Sequence, residues 1–299
     1  MLTLFTVPKG FQGHIGIIQR NAIASWVQLG SQVEILLFGD DEGTAETAAK
    51  MGLRHFPRIV RNSYGTPLIS EVFRQAQERA SFEFLCYVNA DIILVRDFLE
   101  AIQRMRSHQG HFLLMGRRWD LEIAQLLDFT GDWERKLRSE LLRNGHLHSS
   151  SAMDYFVFRR GMVAEMPSFA IGRPAWDNWL IFFVRSCGYP VIDATSVITV
   201  VHQGHEYSHV PFGTGIRWEG PEAEQNRELA GGFEHIFTME DATQILTTDG
   251  LRKPYCTKGR MIRHFYTRAV LSRKQNVWTR ALKMLFASRS LNDYRAEPK

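Results

Sequence analysis

Short apolar runs alternate with helical patterns through the first 115 residues, and this alternation constrains the fold more than any other feature of the chain. Four runs have the length and apolar character of buried strands: residues 2–7, 33–38, 83–88 and 111–115. Between and after them, helical patterns occupy residues 17–29, 44–51, 68–80 and 98–107. Because strands separated by helices return to one sheet in parallel, we predict an α/β fold with a mostly parallel central sheet flanked by helices.

Three local features in this half are less regular. A polar, Gly-rich stretch over 8–16 predicts a loop, and residues 58–60 predict a short third strand. Asp97, with Glu100 three positions later, resembles a capping box at the start of a helix.

The pattern of apolar and charged residues changes after residue 116. Residues 117–150 are charged and predict helices, followed by a strand over 152–159, a helix over 176–187, strands within 189–201 and loops over 203–250. No linker separates the halves, so we predict one catalytic domain over 1–250, made of a nucleotide-binding half (1–115) and a second half (116–250). The remaining segment, 251–299, carries 13 Lys and Arg against two acids and is predicted to be a basic helical C-terminal extension.

The cysteines and the N-terminal residues help to predict the cellular compartment of the protein. Three cysteines are too few and too scattered for a disulfide framework or a thiolate zinc site. The first residues lack the basic and apolar regions of a signal peptide, and no apolar run approaches the roughly 20 residues that span a bilayer. We therefore expect a cytoplasmic protein.

Asp91 follows the apolar strand over 83–88, with Asn89 two positions earlier on the same side. Ligands of open α/β sheets bind at the carboxyl ends of the strands. A divalent cation there needs oxygen ligands, and it can neutralise a diphosphate leaving group. Taken alone, Asp91 is better explained as a residue that ends a strand or caps a turn.

Asn89-Ala90-Asp91 resembles the Asp-x-Asp metal motif of GT-A glycosyltransferases, and the likeness extends over roughly residues 2–210. The chain is similar to an uncharacterised, family 2-like bacterial and plant group. The resemblance implies a Rossmann-like GT-A fold, Mn²⁺ or Mg²⁺ as cofactor, and a nucleotide-sugar donor, with UDP favoured. Because an amide replaces the first carboxylate of the motif, Asp91 is expected to be its principal metal ligand. Asn89 is expected to contact the ribose or a metal-bound water.

Histidines are concentrated after the apolar run over 197–201, at His202, His205 and His209. In GT-A enzymes a C-terminal histidine often completes the metal site, so the resemblance implies His202 as a ligand, with His205 as second choice. Imidazole suits Mn²⁺ better than Mg²⁺. The histidines are also consistent with a solvent-facing loop, or with a structural zinc site that lacks a cysteine ligand.

Asp177 lies at the start of the helix predicted over 176–187. In inverting GT-A enzymes a segment in this position carries the base, so the resemblance implies that Asp177 deprotonates the acceptor hydroxyl. Trp176 and Trp179 would then offer flat faces to a sugar ring. An aspartate at this position is also favoured by helix capping and the helix dipole alone.

Two further residues are candidates near the sugar. The resemblance implies that Asp154, which precedes a predicted strand, holds hydroxyls of the donor sugar or is itself the base. As an alternative, Asp154 is a turn residue. Arg173 is expected to face the diphosphate.

The nucleotide is expected at the ends of the first strands. The candidate contacts are Thr6, Val7, Pro8 and Lys9 after the first strand, Asp40 after the second, Asn62 and Tyr64 after the third, and Ala90 in the metal motif. Each is individually weak, since strand-end loops are generally rich in such residues. The chain has no Gly-x-Gly-x-x-Gly and no Walker lysine loop, which argues against dinucleotide oxidoreductases and P-loop enzymes.

Residues 258–286 interleave basic side chains with Trp, Phe, Leu and Met, which is typical of an interfacial helix. They predict peripheral contact with the inner face of a membrane. The alternative is a helix packed on the catalytic domain with a solvated basic face. Because the rest of the chain is net acidic and carries no nucleic-acid motif, we expect no nucleic-acid partner.

The predicted function is transfer of a sugar to a hydroxyl of a saccharide or lipid-linked glycan, with inversion. One alternative is a nucleotidyltransferase that makes the sugar nucleotide, although residues 7–16 lack the Gly-rich basic loop usual in such enzymes. The other alternative is a non-catalytic protein that binds a nucleotide or a sugar.

Overall fold

The computed structural model describes residues 1–204 and 219–272. Its strands are β1 (Leu2–Thr6), β2 (Val33–Phe38), β3 (Arg54–Phe56), β4 (Phe84–Val88), β5 (Ile92–Leu94), β6 (Leu113–Met115), β7 (Trp119–Leu121), β8 (His146–Leu147), β9 (Tyr155–Arg159), β10 (Val191–Asp193), β11 (Val200–Gln203), β12 (Gln244–Thr247) and β13 (Gly250–Arg252). Its helices are α1 (Gly13–Val27), α2 (Thr44–Met51), α3 (Ile69–Arg79), α4 (Arg96–Arg104), α5 (Trp133–Asn144), α6 (Trp176–Ser186), α7 (Pro221–Leu229) and α8 (Lys258–Leu271).

Nine of the described strands form the central sheet, in the order β13-β12-β10-β6-β9-β4-β1-β2-β3. Strand β9 runs antiparallel to both of its neighbours, and β13 runs antiparallel to β12. The other neighbouring pairs are parallel. This confirms the predicted α/β fold with a mostly parallel central sheet, the architecture implied by the GT-A resemblance.

Helices cover both faces of the central sheet because successive strand residues point to opposite sides. On one face, Phe5 of β1 belongs to a core that includes Phe73 of α3. On the other face, Leu4 belongs to a core that includes Trp26 of α1 and Phe98 of α4. Burying both faces explains why these strands are nearly continuous apolar runs.

A smaller sheet, in the order β5-β11-β7-β8, lies beyond the carboxyl end of β4. The turn over 89–91 carries the chain from β4 into β5 and so joins the two sheets. Within the small sheet, Asp120 of β7 is in register with His202 of β11 on one side and with His146 of β8 on the other. The pairing therefore collects polar residues from distant parts of the sequence beside Asp91.

Several local predictions for the first half were wrong. Helix α1 begins at Gly13, inside the predicted loop 8–16, and the third strand is Arg54–Phe56, paired with β2, and not 58–60. Asp97 does not cap α4, whose N-cap residue is Val95. The carboxylate of Asp97 instead accepts hydrogen bonds from the Thr199 amide and from Arg138.

The prediction of helices through 117–150 was also wrong in part. This segment contains α5, but β7 and β8 flank it. The charged residue of β7, Asp120, is half-buried and pairs with His202 across the small sheet, which hydrophobic periodicity does not detect. Helix α6 confirms the predicted helix over 176–187 to within one residue.

The predicted basic extension over 251–299 does not begin as a helix, because residues 251–252 belong to β13, which pairs with β12 of the central sheet. Helix α8 follows within this segment and packs on the rest of the chain. Its Arg263 binds Asp241 at 2.6 Å, and the Thr267 hydroxyl donates to the same carboxylate at 2.5 Å. Within residues 1–204 and 219–272, none of the helices combines the length and the apolar character that crossing a bilayer requires.

Candidate functional site

The turn after β4 presents Asp91 to His202. In this turn the Ile92 amide donates to the carbonyl of Asn89 at 3.1 Å, and Nε2 of buried Gln203 donates to the carbonyl of Asp91 at 3.0 Å. Gln203 is itself held by Nδ2 of Asn21, which donates to its Oε1 at 3.0 Å. With the backbone of the turn fixed in this way, Oδ2 of Asp91 lies 3.6 Å from Nε2 of His202.

His202 is oriented by a second carboxylate on the other side of its ring. Nδ1 of His202 lies 3.1 Å from Oδ1 of Asp120, and the imidazole is buried. A proton held on Nδ1 toward Asp120 leaves the lone pair of Nε2 facing Asp91. Two ligands that each lie about 2.1–2.4 Å from one cation are separated by about 3–3.5 Å, so the Asp91–His202 pair fits a divalent cation with little adjustment. A mixed oxygen and nitrogen donor set fits Mn²⁺ well.

Asp120 links His202 to a buried arginine. Nε of Arg118 lies 2.9 Å from Oδ1 of Asp120, and Nδ1 of His148 lies 2.5 Å from its Oδ2. Burial raises the pKa of Asp120, but hydrogen bonds from His148 and His202 and the charge of Arg118 outweigh burial and hold this pKa well below its usual range. Asp120 is therefore ionised at neutral pH.

Arg118 and Asn89 converge on Asp154. Nη1 of Arg118 lies 3.0 Å from each carboxylate oxygen of Asp154, and Nδ2 of Asn89 donates to Oδ1 at 2.8 Å. The backbone N–H of Asn89 also donates to the backbone carbonyl of Asp154 at 2.9 Å. Asn89 and Asp154, predicted separately to contact the donor, thus bind each other, and Asp154 is buried.

Asp177 lies in the first turn of α6, after a strained residue. Ala175, the N-cap residue, has φ = 85°, a region that residues other than glycine rarely adopt. Burial raises the pKa of Asp177 to about 6, despite a 2.9 Å hydrogen bond from the Asn178 amide, and the negative charge of Asp154 acts in the same direction as burial. A carboxylate with this pKa is ionised at neutral pH and remains basic enough to accept a proton.

Tyr87, at the end of β4, shows that the three predicted carboxylates share one region. Burial raises the pKa of Tyr87, and the charges of Asp91, Asp154 and Asp177 raise it further. These carboxylates therefore lie close enough to Tyr87, near the carboxyl end of β4, for their charges to act on its hydroxyl.

The predicted sugar platform was wrong. The Trp176 ring is buried, and its centroid lies 5.1 Å from that of Tyr87. Trp179 is also buried and stacks on Phe183. Both tryptophans pack in the core because the apolar face of α6 lies against the central sheet, so neither ring presents a flat face to a ligand.

The loop after β1 brings Lys9 near Asp91 and Arg173. Desolvation lowers the pKa of Lys9, the charge of Asp91 opposes this, and the charge of Arg173 adds to it. Lys9 is therefore close enough to both groups to sense their charges. Nε and Nη2 of Arg173 donate to Oε2 of Glu222 at 3.0 and 2.7 Å, which places an acid of α7 beside the residue predicted to face the diphosphate.

The other predicted nucleotide contacts lie at the same edge of the sheet. Asp40 is exposed and accepts from Arg61 at 2.8 Å, while Tyr64 is 59% exposed. Oδ1 of Asn62 accepts from the Tyr64 and Thr66 amides, and its Nδ2 donates to Glu222 at 2.7 Å, so Asn62 shapes its own loop.

The remaining candidates vary in burial. Thr6 and Pro8 are buried, Val7 and Ala90 are partly exposed, and Oγ1 of Thr6 has no hydrogen-bond partner among the described residues. His205 and His209 lie outside the described residues.

Four residues of the site were missed from the sequence: Arg118, Asp120, His148 and Glu222. One signal was present: His146 and His148 are two positions apart, so in a strand their side chains would lie on the same face. No signal in the sequence identifies Glu222, whose role depends on how α7 docks.

No family model matches the chain, and no curated protein matches it. Among solved structures, it is similar to glucosyl-3-phosphoglycerate synthase from Mycobacterium tuberculosis in complex with Mn²⁺, UDP and phosphoglyceric acid (13% identity, 78% of this chain, 79% of that chain, TM-score 0.47). It is also similar to the same enzyme with Mg²⁺ and UDP (15% identity, 78% and 80% covered, TM-score 0.47). A third similar structure is S. aureus TarS 1–349 (11% identity, 68% and 58% covered, TM-score 0.40). Because these similarities are low, the proposed function rests on the residues of the site.

Proposed function

We propose that this protein is a metal-dependent glycosyltransferase of the GT-A type. It would transfer a sugar from a nucleotide-sugar, most simply a UDP-sugar, to a hydroxyl of a saccharide or lipid-linked glycan. The observation that carries the proposal is the 3.6 Å approach of Asp91 to His202 at the carboxyl end of β4. Two atoms of types that can bind a metal, from residues 111 positions apart, lie close together at the edge of the sheet where ligands of such folds bind.

Asp91 and His202 would hold Mn²⁺ or Mg²⁺, with His205 as the second histidine candidate. When bound, the cation neutralises charge that develops on the departing diphosphate. Asp120 holds the His202 ring in place, and Lys9 adds a positive charge on the nucleotide side. Arg173 faces the diphosphate in this proposal, with Glu222 fixing its guanidinium.

Asp177 would be the general base. Above its pKa of about 6 it is ionised and can accept the proton of the acceptor hydroxyl as that oxygen attacks the anomeric carbon, which gives inversion in one displacement. Asp154 is less suited to this step because Arg118 and Asn89 already occupy its oxygens. We assign Asp154 to positioning the turn over 89–91.

The nucleotide would lie across the loops that follow β1, β2 and β3. The proposed contacts are Thr6, Val7, Pro8, Lys9, Asp40, Asn62, Tyr64 and Ala90. Tyr64, being mostly exposed, is the side chain best placed to adjust to a base.

The division at residue 250 and the membrane contact through 258–286 stay predictions. Helix α8 shows two surfaces: Arg263 and Tyr266 pack inward, while Met261 and Phe265 are 48% and 54% exposed. Flotation of the full chain with anionic vesicles would test the membrane contact, with Met261→Ser and Phe265→Ser expected to weaken it.

Nucleotide release tests the proposed function. The full-length protein is incubated with Mn²⁺, a panel of nucleotide-sugars and candidate acceptors, and the free nucleoside diphosphate is measured. Release that requires Mn²⁺ and disappears in Asp91→Asn is expected. Pyrophosphate-dependent formation of a nucleoside triphosphate would indicate a nucleotidyltransferase instead, and binding without turnover would indicate a non-catalytic protein.

A further inference from the structure

One face of the β7–β8 hairpin carries three side chains with metal-ligand chemistry. Asp120 is in register with His146, and the pairing continues past β8 because the His148 amide donates to the Arg118 carbonyl at 2.9 Å. Residues two apart on an extended chain point to the same side, so both histidines face Asp120. Neither histidine is proposed to contact the cation or the substrates of the transfer reaction, although His148 hydrogen-bonds Asp120.

The three side chains meet at a single oxygen. Nδ1 of His148 lies 2.5 Å and Nε2 of His146 lies 3.4 Å from Oδ2 of Asp120. All three potential ligand atoms lie within 4.8 Å of one another. In a tetrahedral zinc site with bonds of about 2.0–2.1 Å, ligand atoms lie about 3.3–3.4 Å apart. The His146 contact already has this spacing, and the His148 ring needs to retreat by about an ångström.

We propose that Asp120, His146 and His148 form a second metal site, which takes Zn²⁺ or a similar borderline transition-metal ion. Two imidazoles and one carboxylate select such ions over Mg²⁺ and Ca²⁺, which prefer all-oxygen surroundings. Three protein ligands leave a fourth position for water or a phosphate oxygen. The His146 side chain is 74% exposed, which gives an ion direct access from solvent.

This second site is separate from the Asp91–His202 pair and is joined to it through Asp120. Oδ1 of Asp120 faces His202, while Oδ2 faces the two hairpin histidines. The hairpin site depends only on its own three ligands and stands whether or not the chain transfers a sugar.

Metal binding in a background that lacks the first site tests the proposal. Metal-free, full-length Asp91→Asn protein is titrated with Zn²⁺ by equilibrium dialysis, and with Co²⁺ by its visible absorption. We expect one equivalent of either ion, with the Co²⁺ bands of a tetrahedral site. Adding His146→Ala or His148→Ala should remove this equivalent, whereas His264→Ala, which changes an exposed histidine of α8, should keep it.

The outcomes separate this proposal from the proposed function. Loss of the equivalent in both hairpin variants supports the site, and its retention, or no binding in Asp91→Asn, overturns it. Because His146 is largely exposed, His146→Ala should fold normally, which thermal melting checks. As a second measurement, Zn²⁺ should protect His146 from diethyl pyrocarbonate in the Asp91→Asn protein, and unchanged labelling would also overturn the site. His146→Ala should release nucleotide at the wild-type rate. The Zn²⁺ titration does not measure nucleotide release, so its result stands even if the transferase proposal fails.

Discussion

Nδ1 of His202 lies 3.1 Å from Oδ1 of Asp120, across the parallel pair β7 and β11. Since the opposite ring nitrogen faces Asp91, this contact determines which nitrogen is available to a cation. A buried ion-pair network that reaches Arg118 and Asp154 supports the arrangement from behind. The proposed donor site is therefore organised by the small sheet as much as by the turn after β4.

Replacing Asp91 should strongly slow the proposed reaction. Asp91→Asn removes the only carboxylate of the metal motif, and we expect Mn²⁺-dependent nucleotide release to fall about 10²–10³-fold. Asp132→Asn, which changes an exposed aspartate paired with Arg135, should behave like wild type. Equal activity of Asp91→Asn and wild type would contradict the assignment of Asp91.

Replacing Asp120 should weaken metal binding without removing a ligand of the proposed donor site. In Asp120→Asn the acceptor for Nδ1 of His202 becomes a neutral amide, and the affinity for Mn²⁺ should fall about 10–100-fold. Titration followed by the electron paramagnetic resonance of free Mn²⁺ measures this affinity. Release at saturating Mn²⁺ should largely recover, because Asp120 positions His202 and does not touch the substrate. Unchanged affinity would show that the ring is held by other contacts.

The sequence predicted that Asp91 and His202 meet, because both lie at ends of apolar strands, where ligand-binding edges of α/β sheets occur, and the structure places them 3.6 Å apart. It did not locate Asp120 or Arg118. Strand β7 is only three residues long, and its Asp120 pairs with His146 of β8 and His202 of β11. Arg118, directly before β7, pairs with Asp154, directly before β9. No local pattern encodes such pairing, because it arises only when the two sheets come together.

Trp176 and Asp97 show the opposite error, in which the sequence suggested a role that the structure does not support. A tryptophan beside a candidate base suggested a sugar platform, but the apolar face of α6 buries that ring among Tyr87 and Phe156. Asp97 has the spacing of a capping residue, yet it binds Arg138 and the Thr199 amide, which tertiary contacts bring to it. Both residues had a plausible local role that long-range packing overrode.

The pH dependence of turnover should reflect the pKa of Asp177, the proposed base. The pKa of Asp177 is raised to about 6, and the group acts as a base only when ionised. Turnover should therefore rise with pH through about 6 and level off above it, when measured at saturating substrate and Mn²⁺. A profile that is flat between pH 5 and 8 would contradict the role of Asp177.

Removing the charge of Asp177 should stabilise the fold while it abolishes turnover. The folded-state pKa of Asp177 lies above the unfolded value of 3.8, so ionisation of Asp177 lowers the stability of the folded protein. This loss of stability is absent below pH 3.8, grows between pH 3.8 and about 6, and is complete above pH 6. At pH 8 we expect Asp177→Asn to raise the free energy of unfolding by about 1–3 kcal/mol and to lower turnover about 10²–10⁴-fold. Urea unfolding at pH 5 and pH 8 checks the sign, because the gain should be smaller at pH 5.

Arg118 should be needed for stability. Arg118→Leu leaves the buried carboxylate of Asp154 without its counter-charge, and we expect a loss of about 3–5 kcal/mol in urea unfolding. Arg135→Leu removes an exposed ion pair with Asp132 and should change stability by less than about 1 kcal/mol. Similar losses in the two variants would mean that the buried network contributes little.

The position of the cation itself can be measured in crystals grown with Mn²⁺ and UDP, with data collected at the manganese absorption edge. We expect an anomalous peak about 2.1–2.4 Å from both Oδ2 of Asp91 and Nε2 of His202, in contact with the diphosphate. A diphosphate bound with no peak at this pair, or with manganese held elsewhere in the protein, would contradict the proposed metal site and the transfer chemistry built on it.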